Sequence, residues 1–300
     1  MNDSGYKTPG ALEMAVKEAA RKSGQDIGQA LQNYYHDRFL ERIFSEPNPS
    51  FVLKGGRGML ARTVNARHTR DTDFLFRGID LEEAISELKR LASVDLDDFL
   101  EFRFVSAEKI AKDQEYRDGY RVVFTPILGG TKRMNDISVD LVVSQVISDD
   151  ADIITPASRL KVKGLPIFDY HVYPVTSAIA DKVCATMQVY PEGRTSSRVR
   201  DLVDLIVYLT TESFGGRELS QKIDLERRLR KMGSIDAFRI PDTWVSNYMR
   251  TYERLALEAR LPEGYRNIYA AERLVRECID RVLSGEANSL AWSPIELCWR

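Results

Sequence analysis

Two aspartates, Asp71 and Asp73, follow shortly after a glycine pair, Gly55 and Gly56. Alternate side chains of a strand share a face, so these two carboxylates should project together. Held that close they repel each other, and a divalent cation with its preference for hard oxygen ligands relieves the repulsion. The glycines end the apolar run Phe51-Val52-Leu53 and let backbone approach a ligand closely. A short helix opening after them would aim its first N–H groups at an anion. Metal plus phosphate is the joint reading.

A third acid stands inside the apolar run Ile137-Ser138-Val139-Asp140-Leu141-Val142-Val143. An unpartnered carboxylate on a buried strand is costly, so Asp140 needs a partner. A metal shared with Asp71 and Asp73 would serve, and so would a nearby arginine. Two cations held by three acids could clamp the attacking and leaving oxygens of an in-line displacement at phosphorus. In that arrangement Asp71 and Asp73 bridge the metals, and Asp140 completes the second site beside the acceptor hydroxyl. Arg57, directly after the glycines, could reach phosphates or point to solvent. Arg62, Arg67, His68 and Arg70 add positive charge close to the acids, for bidentate phosphate contacts or for loose pairing with the aspartates.

Two further segments carry charge in an apolar setting. In 174–185 Lys182 lies at the border of a helical apolar face, where a lysine can simply reach for water. In Arg198-Val199-Arg200-Asp201-Leu202-Val203-Asp204 the two aspartates share one helix face. Arg198 with Asp201 and Arg200 with Asp204 could be plain helix ion pairs. A basic run, Lys222, Arg227, Arg228, Arg230 and Lys231, together with Lys132 and Arg133, is either a solvated face or a contact surface for an RNA backbone.

The elements needed to position these residues can be read from periodicity. Residues 12–44 have the helical spacing of a scaffold, with a break at Gly24, and Glu46-Pro47-Asn48-Pro49-Ser50 is a turn-rich connector. After the glycine strand, its helix and the aspartate strand, 81–91 is amphipathic, with Ala84, Ile85, Leu88 and Leu91 inward. Strands are expected at 99–105, 120–126 and 137–143, and helices at 176–188, 198–210, 219–232, 244–259 and 270–283. The expected class is α+β: a mixed β-sheet core at 51–165, a short N-terminal helical arm at 1–50, and an all-helical C-terminal lobe at 166–300. A cleft between lobes is the natural place for a ligand.

Composition bounds the rest. The formal net charge of −2 gives no global field to attract nucleic acid, so such binding would need a local patch. Cys184, Cys278 and Cys298 are scattered and odd in number, as expected of reduced thiols in a cytoplasmic protein. His36, His68 and His171 form no zinc pattern. No secretory apolar region and no membrane-spanning run are expected, and a monomer is favoured.

The glycine and aspartate segments, Leu53-Lys54-Gly55-Gly56-Arg57 followed by Arg67-His68-Thr69-Arg70-Asp71-Thr72-Asp73, resemble the nucleotidyltransferase superfamily that includes DNA polymerase beta. Within it the chain is most similar to the AbiEii/AbiGii-type, MenT-like toxins of type IV toxin–antitoxin pairs. In that family a small hydroxyl residue follows the glycines, where this chain has Arg57. The 174–185 segment resembles the family's alanine-acid-lysine helix, which implies that Lys182 contacts the triphosphate. Arg198 to Asp204 resembles its Arg-x-Lys-Asp-x-x-Asp motif, with Arg200 in place of lysine, and implies that Asp201 orients Lys182 or the nucleotide. The resemblance thus implies Asp71, Asp73, Asp140, Lys182 and Asp201 as catalytic residues. Gly55, Gly56, Arg57, Arg70, Lys182 and Arg200 would bind nucleotide, and Mg2+ would sit on the three acids. It further implies transfer of NMP from an NTP to the 3′ end of tRNA, with release of pyrophosphate and a block of translation, and a cognate antitoxin as partner. A protein or small-molecule hydroxyl as acceptor, or a nucleotide-binding module without turnover, are the alternatives.

Overall fold

The computed structural model describes residues 5–24, 26–47, 50–67, 69, 71–110, 119–143, 151–190 and 193–300. The chain divides into two compact units: 1–64 with 69–172, and 65–68 with 173–300.

The first unit opens with helices α1 (Pro9–Lys22) and α2 (Ile27–Ile43), each started by a side-chain cap, Thr8 and Asp26 respectively. Strand β1 (Phe51–Lys54) runs straight into helix α3 (Gly55–Arg62), followed by β2 (Thr72–Phe76) and α4 (Leu81–Ala92). Then come β3 (Leu100–Lys109), β4 (Gly119–Leu128), the short β5 (Lys132–Arg133), β6 (Ile137–Val143), β7 (Asp152–Ile154) and β8 (Tyr170–Val172). They form one mixed sheet of order β3-β4-β6-β2-β1-β8-β7, with β5 paired to β4. Strand β2 sits in its interior, antiparallel to β1 and parallel to β6.

The helices of the expected arm are part of this unit, because Leu12, Val16, Phe39, Leu40 and Ile43 join Phe51, Phe74, Val139 and Leu141 in one buried core. Arg38 and Arg42 of α2 converge on the buried Asp98, with nitrogen–oxygen distances of 2.6 Å each. Strands β7 and β8 had no sequence expectation: three residues each give too short a pattern to recognise.

The second unit contains α5 (Val175–Met187), α6 (Val199–Thr211), α7 (Gly216–Leu229), α8 (Thr243–Asn247), α9 (Met249–Glu258) and α10 (Ile268–Leu283). The single helix expected at 244–259 is broken at Tyr248, where Ser246 bonds back to the Thr243 carbonyl and to Asn247. The lobe is not wholly helical. A two-stranded hairpin, β9 (Trp292–Ser293) and β10 (Cys298–Trp299), closes it. The hairpin is held by Trp292, Trp299 and Phe214, whose rings meet at centroid distances of 5.5 to 6.3 Å. Among the described residues no helix is long and apolar enough to cross a membrane.

Candidate active site

In the first unit, parallel pairing puts Asp73 of β2 opposite Asp140 of β6. Registered residues on neighbouring strands project to the same face, so the two carboxylates stand side by side. Asp73 and Asp140 are half-buried, while their neighbours Thr72, Phe74, Val139 and Leu141 are buried among the core side chains. Alternation along each strand therefore sends the acids to the face opposite Thr72, Phe74, Val139 and Leu141, with the buried Leu75 and Val142 next to them on their own face. Asp71 lies one residue before β2 and is exposed, rather than within the strand as its spacing from Asp73 had implied.

The glycine bend is packed against this pair. Gly55 has a φ of +60°, the left-handed conformation that favours glycine, and a Cβ there would lie 1.9 Å from Asp73 Oδ2. A Cβ on Gly56 would lie 2.8 Å from the Thr69 side chain. Both positions need glycine because the chain folds back onto the acid strand at this point. The bend runs directly into α3, whose N-terminus has no side-chain cap.

Arg57 neither faces solvent nor projects beside the acids in an open position. It is buried, with Nη1 donating to Asn33 Oδ1 at 3.2 Å, while Nε and Nη2 have no hydrogen-bond partner among the described residues. Burial lowers its pKa, and the charges of Asp37 and Asp71 oppose that shift. Arg70 and His68 lie outside the described residues. Arg62 pairs with Asp152, and Arg67 belongs to the second unit.

A residue the sequence did not single out completes the acid row. Arg121 of β4 is registered with Asp140 and donates to both of its oxygens, Nε to Oδ1 and Nη2 to Oδ2, each at 2.8 Å. Hydrogen bonding to Asp140 raises the Arg121 pKa, and the charges of Asp71 and Asp73 add to the effect. Among the described residues no three His, Cys, Asp or Glu side chains gather as a group that could hold a metal ion. Asp136, just before β6, accepts hydrogen bonds from Thr125 and Arg133, as a turn residue would.

In the second unit Lys182 of α5 is buried, with Nζ 3.1 Å from Asp201 Oδ1 and 2.7 Å from Asp204 Oδ2. Arg67 donates to both oxygens of Asp204 at 3.0 Å, and Arg198 reaches Asp201 at 2.7 Å. Burial works against the Lys182 ammonium, but Asp204 and Asp201 outweigh it and raise its pKa. Burial likewise opposes the Asp201 carboxylate, yet Lys182 and Arg198 hold its pKa below the usual value. Asp204 thus pairs with Lys182 and Arg67, while Arg200 is exposed on α6.

Much of the basic run is neutralised locally. Arg227 and Arg228 pair with Asp224, the buried Arg230 with Glu226 and Asp181, Lys132 with Glu13, and Arg133 with Asp136.

The profile of the nucleotidyl transferase AbiEii toxin family, type IV toxin–antitoxin system, matches residues 38–270. The chain belongs to this family. Its match takes in the glycine bend, Asp71, Asp73, Asp140, Lys182 and Asp201. This member of the AbiEii family is thus a nucleotidyltransferase of the toxin type. Among solved structures it is similar to JHP933 from Helicobacter pylori, at 15% identity over 85% of this chain and 93% of that one, with a TM-score of 0.47. It is also similar to a candidate nucleotidyltransferase of H. pylori, at 15% identity over 87% and 99% of the two chains, with a TM-score of 0.49. No curated protein matches it.

Proposed function

We propose that this AbiEii-family protein transfers a nucleoside monophosphate from an NTP to the 3′ end of tRNA, releasing pyrophosphate and so blocking translation in the cytoplasm. The observation that carries the reading is the register of Asp73 with Asp140 beside the left-handed Gly55. An all-carboxylate donor set fits a hard divalent cation such as Mg2+, which Asp71, Asp73 and Asp140 would hold. When bound, such a cation lowers the pKa of the acceptor hydroxyl and offsets the charge of the departing pyrophosphate.

The remaining work falls to the chain itself. The backbone N–H groups opening at Gly55 and Gly56 would cradle the phosphates, and the close fit of Gly55 against Asp73 would keep that carboxylate in place. Arg57, with guanidinium N–H groups still to satisfy, would add positive charge behind the bend, and Arg70 would contribute a phosphate contact. The acceptor hydroxyl attacks the α-phosphorus and its proton passes to Asp140. Asp201 and Asp204 hold the Lys182 ammonium. A triphosphate reaching Lys182 would have to compete with these two carboxylates. A cognate antitoxin is the expected partner.

Sequencing of tRNA 3′ ends after induction of the protein in cells tests the acceptor. Added nucleotides on tRNA are the expected result. Unmodified ends beside a mass shift on a protein or small molecule would reject the tRNA assignment.

A further inference from the structure

Across four neighbouring strands stand Arg121 on β4, Asp140 on β6, Asp73 on β2 and Lys54 on β1, each registered with the next. Registered residues share a face, so the row reads cation, carboxylate, carboxylate, cation. The guanidinium of Arg121 engages Asp140 as a two-pronged fork, which aims both carboxylate oxygens at the arginine. An ion pair of this kind is geometrically specific. It is also openable: the Arg121 side chain is 49% exposed and that of Asp140 21%. Exposed pairs separate at small cost and weaken with salt.

We propose that Arg121 is a positioning residue that locks Asp140: it serves as counter-cation to the acid row when no divalent cation is bound, and a cation gains Asp140 only by displacing the guanidinium. The lock rests on reading the acid row as the metal site of the transfer reaction. It accounts for Asp140 standing in register with Asp73 while the acids are not gathered as a metal cage. It also sets a threshold, because a divalent cation must be abundant enough to outcompete a charge already built into the sheet.

Mn2+ binding to the full chain without nucleotide, followed by electron paramagnetic resonance, tests this directly. Arg121→Gln leaves a shorter, still polar side chain and removes the charge, and should bind Mn2+ about fivefold more tightly than the wild type. Arg121→Lys keeps a charge without the fork and should fall between the two. The gap between wild type and Arg121→Gln should narrow as ionic strength rises. If Arg121→Gln binds Mn2+ no more tightly than the wild type, while Asp73→Asn abolishes binding in both backgrounds, the lock is refuted and the metal site stands. If folded wild type and Arg121→Gln both bind no more Mn2+ than Asp73→Asn, the metal reading fails and the lock fails with it.

Discussion

The acid row of the first unit and the charged knot of the second are built from the same residue types and differ in exposure. In the row, Arg121 and Asp140 meet at a partly open surface, and Asp71 is exposed. In the knot, Lys182, Asp201 and Asp204 are each no more than 8% exposed at the side chain, and every charge has an opposite one within bonding distance. A pair in contact with water can exchange partners cheaply, whereas a sealed one leaves a bare charge when broken. The first arrangement suits a site that must take up and release ligands. The second holds α5 against α6.

The contrast predicts different consequences for single changes. The largest loss of stability should come from the knot: Lys182→Met removes the cation shared by the buried Asp201 and Asp204, leaving each a single arginine, and should cost about 3–5 kcal/mol in urea unfolding. A change at the edge of the row should be milder in stability and severe in function. Gly55→Ala imposes strain at φ +60° and drives a methyl group into the Asp73 carboxylate, for a cost of about 2 kcal/mol. Transfer activity should fall further than that loss of stability explains. An unfolding curve for Gly55→Ala that overlays the wild type would show that the bend is looser than its geometry implies.

A smaller effect concerns pH. Burial raises the Asp37 pKa from 3.8 to about 6 and that of Glu41 from 4.5 to about 7, more than the neighbouring arginines lower them. Both carboxyls hold a proton more tightly folded than unfolded. Their contribution to stability is therefore present below about pH 4 and is lost as pH rises through 6 and then 7. Asp37→Asn should lose less stability than the wild type between pH 5 and pH 8, by roughly 1.4 kcal/mol. Equal losses would mean that Asp37 is not protonated in the folded protein.

How much of this was legible in the sequence depended on separation along the chain. Gly55, Gly56, Asp71 and Asp73 belong to one strand–helix–strand unit, so local spacing revealed them together. Asp140 was visible by contrast, as the one acid in an apolar run. Arg121 was not, because its partner is decided by the register of β4 against β6, and no spacing rule fixes that register in advance. The partner of Arg67 was hidden for a related reason: it lies close to Asp71 in sequence, yet 65–68 belong to the second unit, where Arg67 meets Asp204. The burial of Arg57 was hidden too, since its partner Asn33 lies on α2, well before the glycine bend. The C-terminal hairpin escaped because strands of two residues carry no periodicity.

The most direct measurement is label transfer from each α-labelled NTP to total tRNA in the presence of Mg2+, comparing the wild type with Asp73→Asn at matched urea midpoints. The account predicts label in the tRNA fraction for at least one nucleotide, and a fall of about a thousandfold in Asp73→Asn. Transfer by Asp73→Asn at the wild-type rate would contradict it.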